Sequence, residues 1–206
     1  MILIPDSIWI GISRRLISDK YLNRIDLDLA LKKIFNEGVF AKILKLLDTN
    51  HSILLRCSME FLVFLYDAAA EYYFYNDEQF LNRMNFRIDK QYKESYINEV
   101  ADIHYVSQVL MIIENYQNEY KALGVNFLTK LIESEKIVTI IKRCFGFTMI
   151  LNSLNSATDY NLRITILHLI KTLLNNEDNI RELRALGLIN LLLLMFRKSK
   201  NVFERI

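Results

Sequence analysis

Proline is almost missing from this chain: Pro5 is the only one in 206 residues, and there are just five glycines. Sheets and turn-rich folds use these two residues at chain reversals, whereas helix interiors exclude them, so the shortage argues for a protein made of helices. Cysteine is nearly as scarce. Cys57 and Cys144 are too few for a disulfide framework and suit a reducing compartment. An excess of one charge is lacking as well: 26 basic and 24 acidic residues leave a net charge of +2. Such a balance gives no global drive towards nucleic acid or an anionic membrane, and neither is expected as a partner. Long hydrophobic runs are also missing. The longest, Leu186 to Phe196, is interrupted by Gly187 and Asn190 and covers 11 residues, where a bilayer requires about 20. The opening Met1-Ile2-Leu3-Ile4-Pro5 has neither the basic flank nor the apolar core of a secretory signal. A soluble, cytoplasmic protein without a membrane span is the expectation.

What the chain does have is apolar residues, 52% of the total, recurring at helical spacing almost throughout. Leu162, Ile166, Leu169, Ile170, Leu173 and Leu174 follow the i, i+4, i+7, i+8 stripe of a helix with one buried face. The stripes repeat. Counted from Gly146, apolar residues stand at +5 and +8 (Leu151, Leu154) and then at +16, +20, +23, +24, +27 and +28. Counted from Gly38, the same offsets hold Ile43, Leu46, Leu54, Ser58, Phe61, Leu62, Leu65 and Tyr66. From His104 they hold Val109, Ile112, Tyr120, Gly124, Phe127, Leu128, Leu131 and Ile132, and Gly187 begins a further copy with Leu192 and Met195. The origins lie 66, 42 and 41 residues apart (38 to 104, 104 to 146, 146 to 187). A period of about 40–47 residues holding two or three helices is the range of HEAT and armadillo repeats.

At this point the chain resembles the armadillo family. Gly38-Val-Phe-Ala-Lys-Ile-Leu-Lys-Leu-Leu47 is similar to that family's turn from first to second helix, Ser52 to Asp67 to its long third helix, and Asn179 to Leu192 to the start of its first helix. The likeness runs from about Asp26 onward. It implies an all-α, right-handed α-solenoid of about three full repeats and a truncated one, a single domain over residues 1–206. A capping helix is expected at about 6–20, where Asp6 or Ser7 would cap Ile8, Ile12 and Leu16. The interval from 38 to 104 exceeds one repeat, which places an insertion at about 70–92, either an extended helix or a loop. Two departures stand out: the family's Pro after the turn Gly is missing, and His104 stands where a Gly would.

No catalytic constellation emerges. His51, His104 and His168 are scattered, with no second His or Cys at metal-ligand spacing. There is no Gly-rich phosphate loop and no Ser-His-acid pattern. Cys57 and Cys144 fall on different helices of different repeats and read as small buried residues. No enzyme activity, cofactor or metal is expected. The resemblance instead implies binding along a groove lined by the third helices, at offsets +22 and +26, which share a helix face. Here these are Glu60 and Phe64, Asn126 and Lys130, and His168 and Thr172; the competing reading is an ordinary solvated face. Importin-type carriers place Trp at +22 and Asn at +26. This chain has Glu, Asn and His at +22, and its only Trp is Trp9, so nuclear-signal carriage is not expected. Two basic stretches (Arg83, Arg87, Lys90 and Lys93; Arg197, Lys198, Lys200 and Arg205) read as solvated surface or docking sites for an acidic protein. The Tyr72-Tyr73-Phe74-Tyr75 cluster reads as partly core or as an interface anchor.

Among armadillo-like families, small cytoplasmic scaffolds that dock on germinal-centre-type protein kinases, including fungal septation-signalling adaptors, are similar in size and repeat make-up. Glu182 to Arg197 resembles their C-terminal repeat. Armadillo-like formin segments, which recognise small GTPases, supply a second resemblance. The function expected is therefore a non-enzymatic adaptor for a kinase or a small GTPase. The alternative is a structural or self-associating module, with the apolar Leu186–Ile206 end as the oligomer contact.

Overall fold

Several helix starts are set by the side chain that precedes them. Asp159 accepts a 2.7 Å hydrogen bond from the Leu162 amide, and Asn176 accepts from the amides of Asp178 and Asn179 at 2.9 and 3.3 Å. Asp102 accepts from the His104 amide at 2.7 Å. Each bond satisfies a first-turn N–H that has no partner within its helix, a contribution of about 1 kcal/mol. Glu135 opens a helix that closes on Lys142 and Arg143, and Glu177 and Asp178 open one that closes on Arg184. Both patterns complement the helix dipole.

The computed structural model describes residues 33–35, 37–49, 51–74 and 91–203, with side chains described over 33–35, 37–49, 51–67 and 93–197. Helix α1 (Val39–Leu44) continues into a 3-10 turn (Lys45–Asp48), and α2 spans Ser52–Phe74. Then follow α3 (Gln91–Val100), α4 (Ile103–Asn115), α5 (Asn118–Leu131), α6 (Glu135–Arg143), α7 (Gly146–Ser156), α8 (Tyr160–Leu173), α9 (Glu177–Ala185) and α10 (Leu188–Phe203). The described residues contain no strand. The protein is all-helical over this range, as composition and periodicity indicate. The expected capping helix and residues 75–90 of the expected insertion lie outside the described residues. Up to Phe74 the excess is helical: α2 has 23 residues where α5 and α8 have 14.

Helices recur in threes. The short members α3, α6 and α9 start at residues 91, 135 and 177, intervals of 44 and 42. Burial keeps the same register on the longest members. Ser58, Phe61, Leu62 and Leu65 of α2 are buried, as are Gly124, Phe127, Leu128 and Leu131 of α5 and Ile166, Leu169, Ile170 and Leu173 of α8. These are the +20, +23, +24 and +27 positions of the sequence frame.

On the middle helices the frame's +5 and +8 residues Ile43, Val109, Ile112, Leu151 and Leu154 are buried and Leu46 is half-buried, but one origin is displaced. The buried residues that align are Phe40, Ile43, Leu44 and Leu47; Val106, Val109, Leu110 and Ile113; and Phe147, Ile150, Leu151 and Leu154. The counterpart of Gly38 is thus Phe145, not Gly146. Gly38, Phe145 and Gly187 all hold the left-handed conformation, with φ of 66°, 56° and 90°. His104 is the second residue of α4 and no turn residue at all. Gly146 answers a different need. A Cβ there would lie 2.5 Å from Ile141 Cγ2 and 2.9 Å from both the Ile141 carbonyl oxygen and Leu110 Cδ1. Gly146→Ala is expected to lower stability by about 1–3 kcal/mol through overpacking. Phe145→Gly, one residue away, should leave stability unchanged or raise it by up to about 1 kcal/mol, because it relieves a left-handed L-residue. Urea unfolding of the two variants checks this contrast.

The chain divides into two compact units with the boundary between Tyr105 and Val106. In the first, α1, α2 and α3 enclose an aromatic core. Tyr96 of α3 packs against Phe40, Tyr66 and Phe35 at ring-centroid distances of 4.7, 5.5 and 6.5 Å, and its hydroxyl donates to the Leu62 carbonyl at 2.7 Å. His104 Nε2 contacts Asp48 Oδ2 at 2.9 Å.

In the second unit three helices meet their counterparts from the neighbouring triplet. Ser153 of α7 donates to the Ile113 carbonyl of α4 at 2.7 Å, and Lys142 of α6 meets Glu182 of α9 at 3.2 Å. α5 packs along α8. Asn179, buried on α9, donates to the Leu173 carbonyl at 3.1 Å and so ties one triplet to the next. Among the described residues no single helix is long and apolar enough to cross a membrane. α6 and α7 together would be, but the chain bends by 78° between them.

Candidate protein-binding surface

The side chains at offsets +22 and +26 follow from the register of the third helices, since the +20, +23, +24 and +27 positions point inward. Asn126 and His168 are exposed, and Lys130 and Thr172 are half-buried. The 42-residue interval makes Asn126 the counterpart of His168 and Lys130 that of Thr172. Because α5 and α8 pack together, the structure places these four on neighbouring helices of one unit. Glu60 and Phe64 lie on α2 in the first unit, Glu60 exposed and Phe64 half-buried.

Each of these groups has local chemistry. Glu60 pairs with Arg56 one turn earlier at 2.9 Å, with both side chains about half exposed (49% and 47%). A pair this exposed contributes little to stability. Phe64 stacks near Phe61 with ring centroids 6.3 Å apart. The Thr172 hydroxyl donates back to the His168 carbonyl at 3.0 Å, leaving its lone pairs as acceptors. These side chains give a largely polar helix face able to form hydrogen bonds.

Burial raises the Cys144 thiol pKa, which disfavours the reactive thiolate. Burial, followed by Asp102, Asp48 and Glu99, raises that of Tyr105. Cys57 and Cys144 are both half-buried and unbridged. Among the described residues no three His, Cys, Asp or Glu side chains are grouped to hold a metal ion. Lys93 lies over the Tyr66 ring at 5.5 Å, while Arg83, Arg87, Lys90, Arg205 and the side chains of Tyr72, Tyr73, Phe74, Tyr75, Lys198 and Lys200 are outside the described residues.

No protein-family model, curated protein or solved structure gives a significant match to the chain.

One surface is sharper in the structure than in the sequence. Leu192, a repeat core position in the sequence frame, is exposed, and so are Ile189, Leu193, Leu194 and Phe196. Leu188 alone on α10 is fully buried, with Leu191 and Met195 half-buried. Apart from Asn190, the run from Leu188 to Phe196 carries apolar residues on more than one face, which is the signal that more than one face wants cover. Which face has cover required the fold.

Proposed function

We propose that the chain is an armadillo-type α-solenoid that works in the cytoplasm as a non-enzymatic adaptor, binding another protein through its third-helix face and the apolar end at α10. The observation that supports this reading is the packing of α5 along its counterpart α8, with matched burial at 42-residue spacing. A helix triplet cannot bury its stripe alone, and stacking leaves an extended row of surface positions suited to binding. A germinal-centre-type kinase or a small GTPase is the partner class proposed, on the family resemblance.

The test is affinity capture on the full chain with mass spectrometry, followed by titration of the captured protein. Phe64→Ala combined with Lys130→Glu is expected to weaken capture at least tenfold, since aromatic and basic side chains dominate interface energetics. Undiminished capture by this variant would remove the third-helix assignment.

The exposed α10 face favours one second reading, a self-associating structural module. Light scattering separates the two: a stable dimer disrupted by changes within residues 186–206 supports the module, and a monomer that holds a kinase or GTPase supports the adaptor.

A further inference from the structure

Taking Phe145 and Gly187 as equivalent turn residues, 42 positions apart, aligns α10 with α7. Ile189, Leu192, Leu193 and Phe196 then correspond to Phe147, Ile150, Leu151 and Leu154. On α7 all four are buried, and α7 packs against α8. On α10 they are 48, 37, 52 and 67% exposed. Their i, i+3, i+4, i+7 spacing puts them on one face, an exposed apolar stripe of the kind that marks interaction sites. α8, which packs against α7, is amphipathic, with Leu162, Ile166, Leu169, Ile170 and Leu173 buried.

Charge decides between the occupants. Arg197 follows Leu193 by one turn on the same side of α10, the sequence continues with Lys198 and Lys200, and Arg184 ends α9. Arg184 and Arg197 are exposed and make no ion pair among the described residues. A second copy meets this poorly. Parallel pairing of two α10 helices sets Arg197 against Arg197, and antiparallel pairing sets it at the partially positive start of the facing helix. We propose that the α10 stripe seats an amphipathic helix of a partner protein, apolar at i, i+3, i+4 and i+7 and acidic where it passes Arg197. This deepens the adaptor reading and rests on it for the existence of such a partner.

The probe is a fluorescein-labelled peptide of residues 159–175 carrying Arg163→Glu and Lys171→Glu, titrated by anisotropy against the full chain beside the unmodified peptide. The acidic peptide is expected to bind saturably and several-fold more tightly than its parent, with the difference shrinking in high salt. Leu193→Glu and Phe196→Glu should each weaken it about tenfold or more, and Leu193→Glu should leave the melting temperature unchanged because its side chain is 52% exposed. Arg197→Glu should reverse the preference between the two peptides. Equal binding of both peptides, or binding indifferent to Leu193→Glu and Phe196→Glu, overturns the proposal. So does a wild-type dimer in sedimentation velocity that Leu193→Glu converts to monomer, since the stripe then belongs to a second copy. Phe64→Ala with Lys130→Glu should leave peptide binding intact. If that pair abolishes it, the peptide seats on the third helices, and the adaptor reading survives while this one falls.

Discussion

Leu128→Ala and Leu169→Ala, made singly, are each expected to lower the free energy of unfolding by about 2–5 kcal/mol. Both side chains are fully buried, Leu128 on α5 and Leu169 on α8, where these two helices pack along each other. Truncation removes the transfer contribution of the isobutyl group and leaves a cavity walled by rigid helices, so little of the loss is recovered by collapse. For a domain whose total stability is about 5–15 kcal/mol, either change is severe. Ile164→Ala provides the internal control. Ile164 lies on α8 as well but is exposed, and its replacement should stay within about 0.5 kcal/mol. Chemical denaturation of the three variants decides the matter. Near-normal midpoints for both leucine variants would mean that the third-helix register is wrong. Because the two leucines lie along one pair of packed helices, the double variant should depart from additivity.

The same residues show why the third helices were legible in advance. A stripe of period 3.6 records its own inward face, so Phe61, Phe127 and Leu169 could be matched by offset before any fold was known. The middle helices were harder because glycine answers two different demands. At Gly38 and Gly187 it provides a positive φ, and at Gly146 it provides room for Ile141 and Leu110. Sequence spacing treats these alike, which displaced the frame by one residue onto Gly146 and hid the role of Phe145. His104 was placed at a turn for a similar reason, although its backbone belongs to α4 and its capping partner is Asp102. The surface residues divide along the same line. That Asn126 and Lys130 share a face follows from four-residue spacing. That His168 and Thr172 lie on the adjoining helix follows only from the packing of α5 on α8. The exposure of Ile189 and Leu193 depends on what packs against α10 in the fold, and no local pattern contains that.

Tyr96→Ala is expected to be the most damaging single change in the first unit, at about 3–5 kcal/mol by analogy with other buried aromatics. The ring is enclosed by Phe35, Phe40 and Tyr66, drawn from separate stretches of chain that α3 brings into register with α1 and α2. Tyr96→Phe keeps the rings in contact and removes only the hydrogen bond to the Leu62 carbonyl, so about 0.5–1.5 kcal/mol should be lost. The two variants therefore separate packing from polarity. They also carry a pH signature. Burial above all, then the charges of Tyr66 and Asp67, raise the Tyr96 pKa well above its usual value of 10.0. A group whose folded pKa is raised contributes stability in full below its unfolded pKa and loses it as pH climbs towards the folded value, because the unfolded chain ionises first. Stability should accordingly fall with rising pH above about 10. Cys144 and Tyr105, also raised, act in the same direction, so the wild-type curve alone does not isolate Tyr96. Tyr96→Phe does. Its stability should decline less steeply than wild type above pH 10, and the two curves should converge as the advantage of the hydroxyl disappears. Parallel curves in pH-resolved urea unfolding would mean that the Tyr96 hydroxyl titrates as freely in the folded protein as in the unfolded chain, and that the enclosure by Phe40 and Tyr66 is not tight.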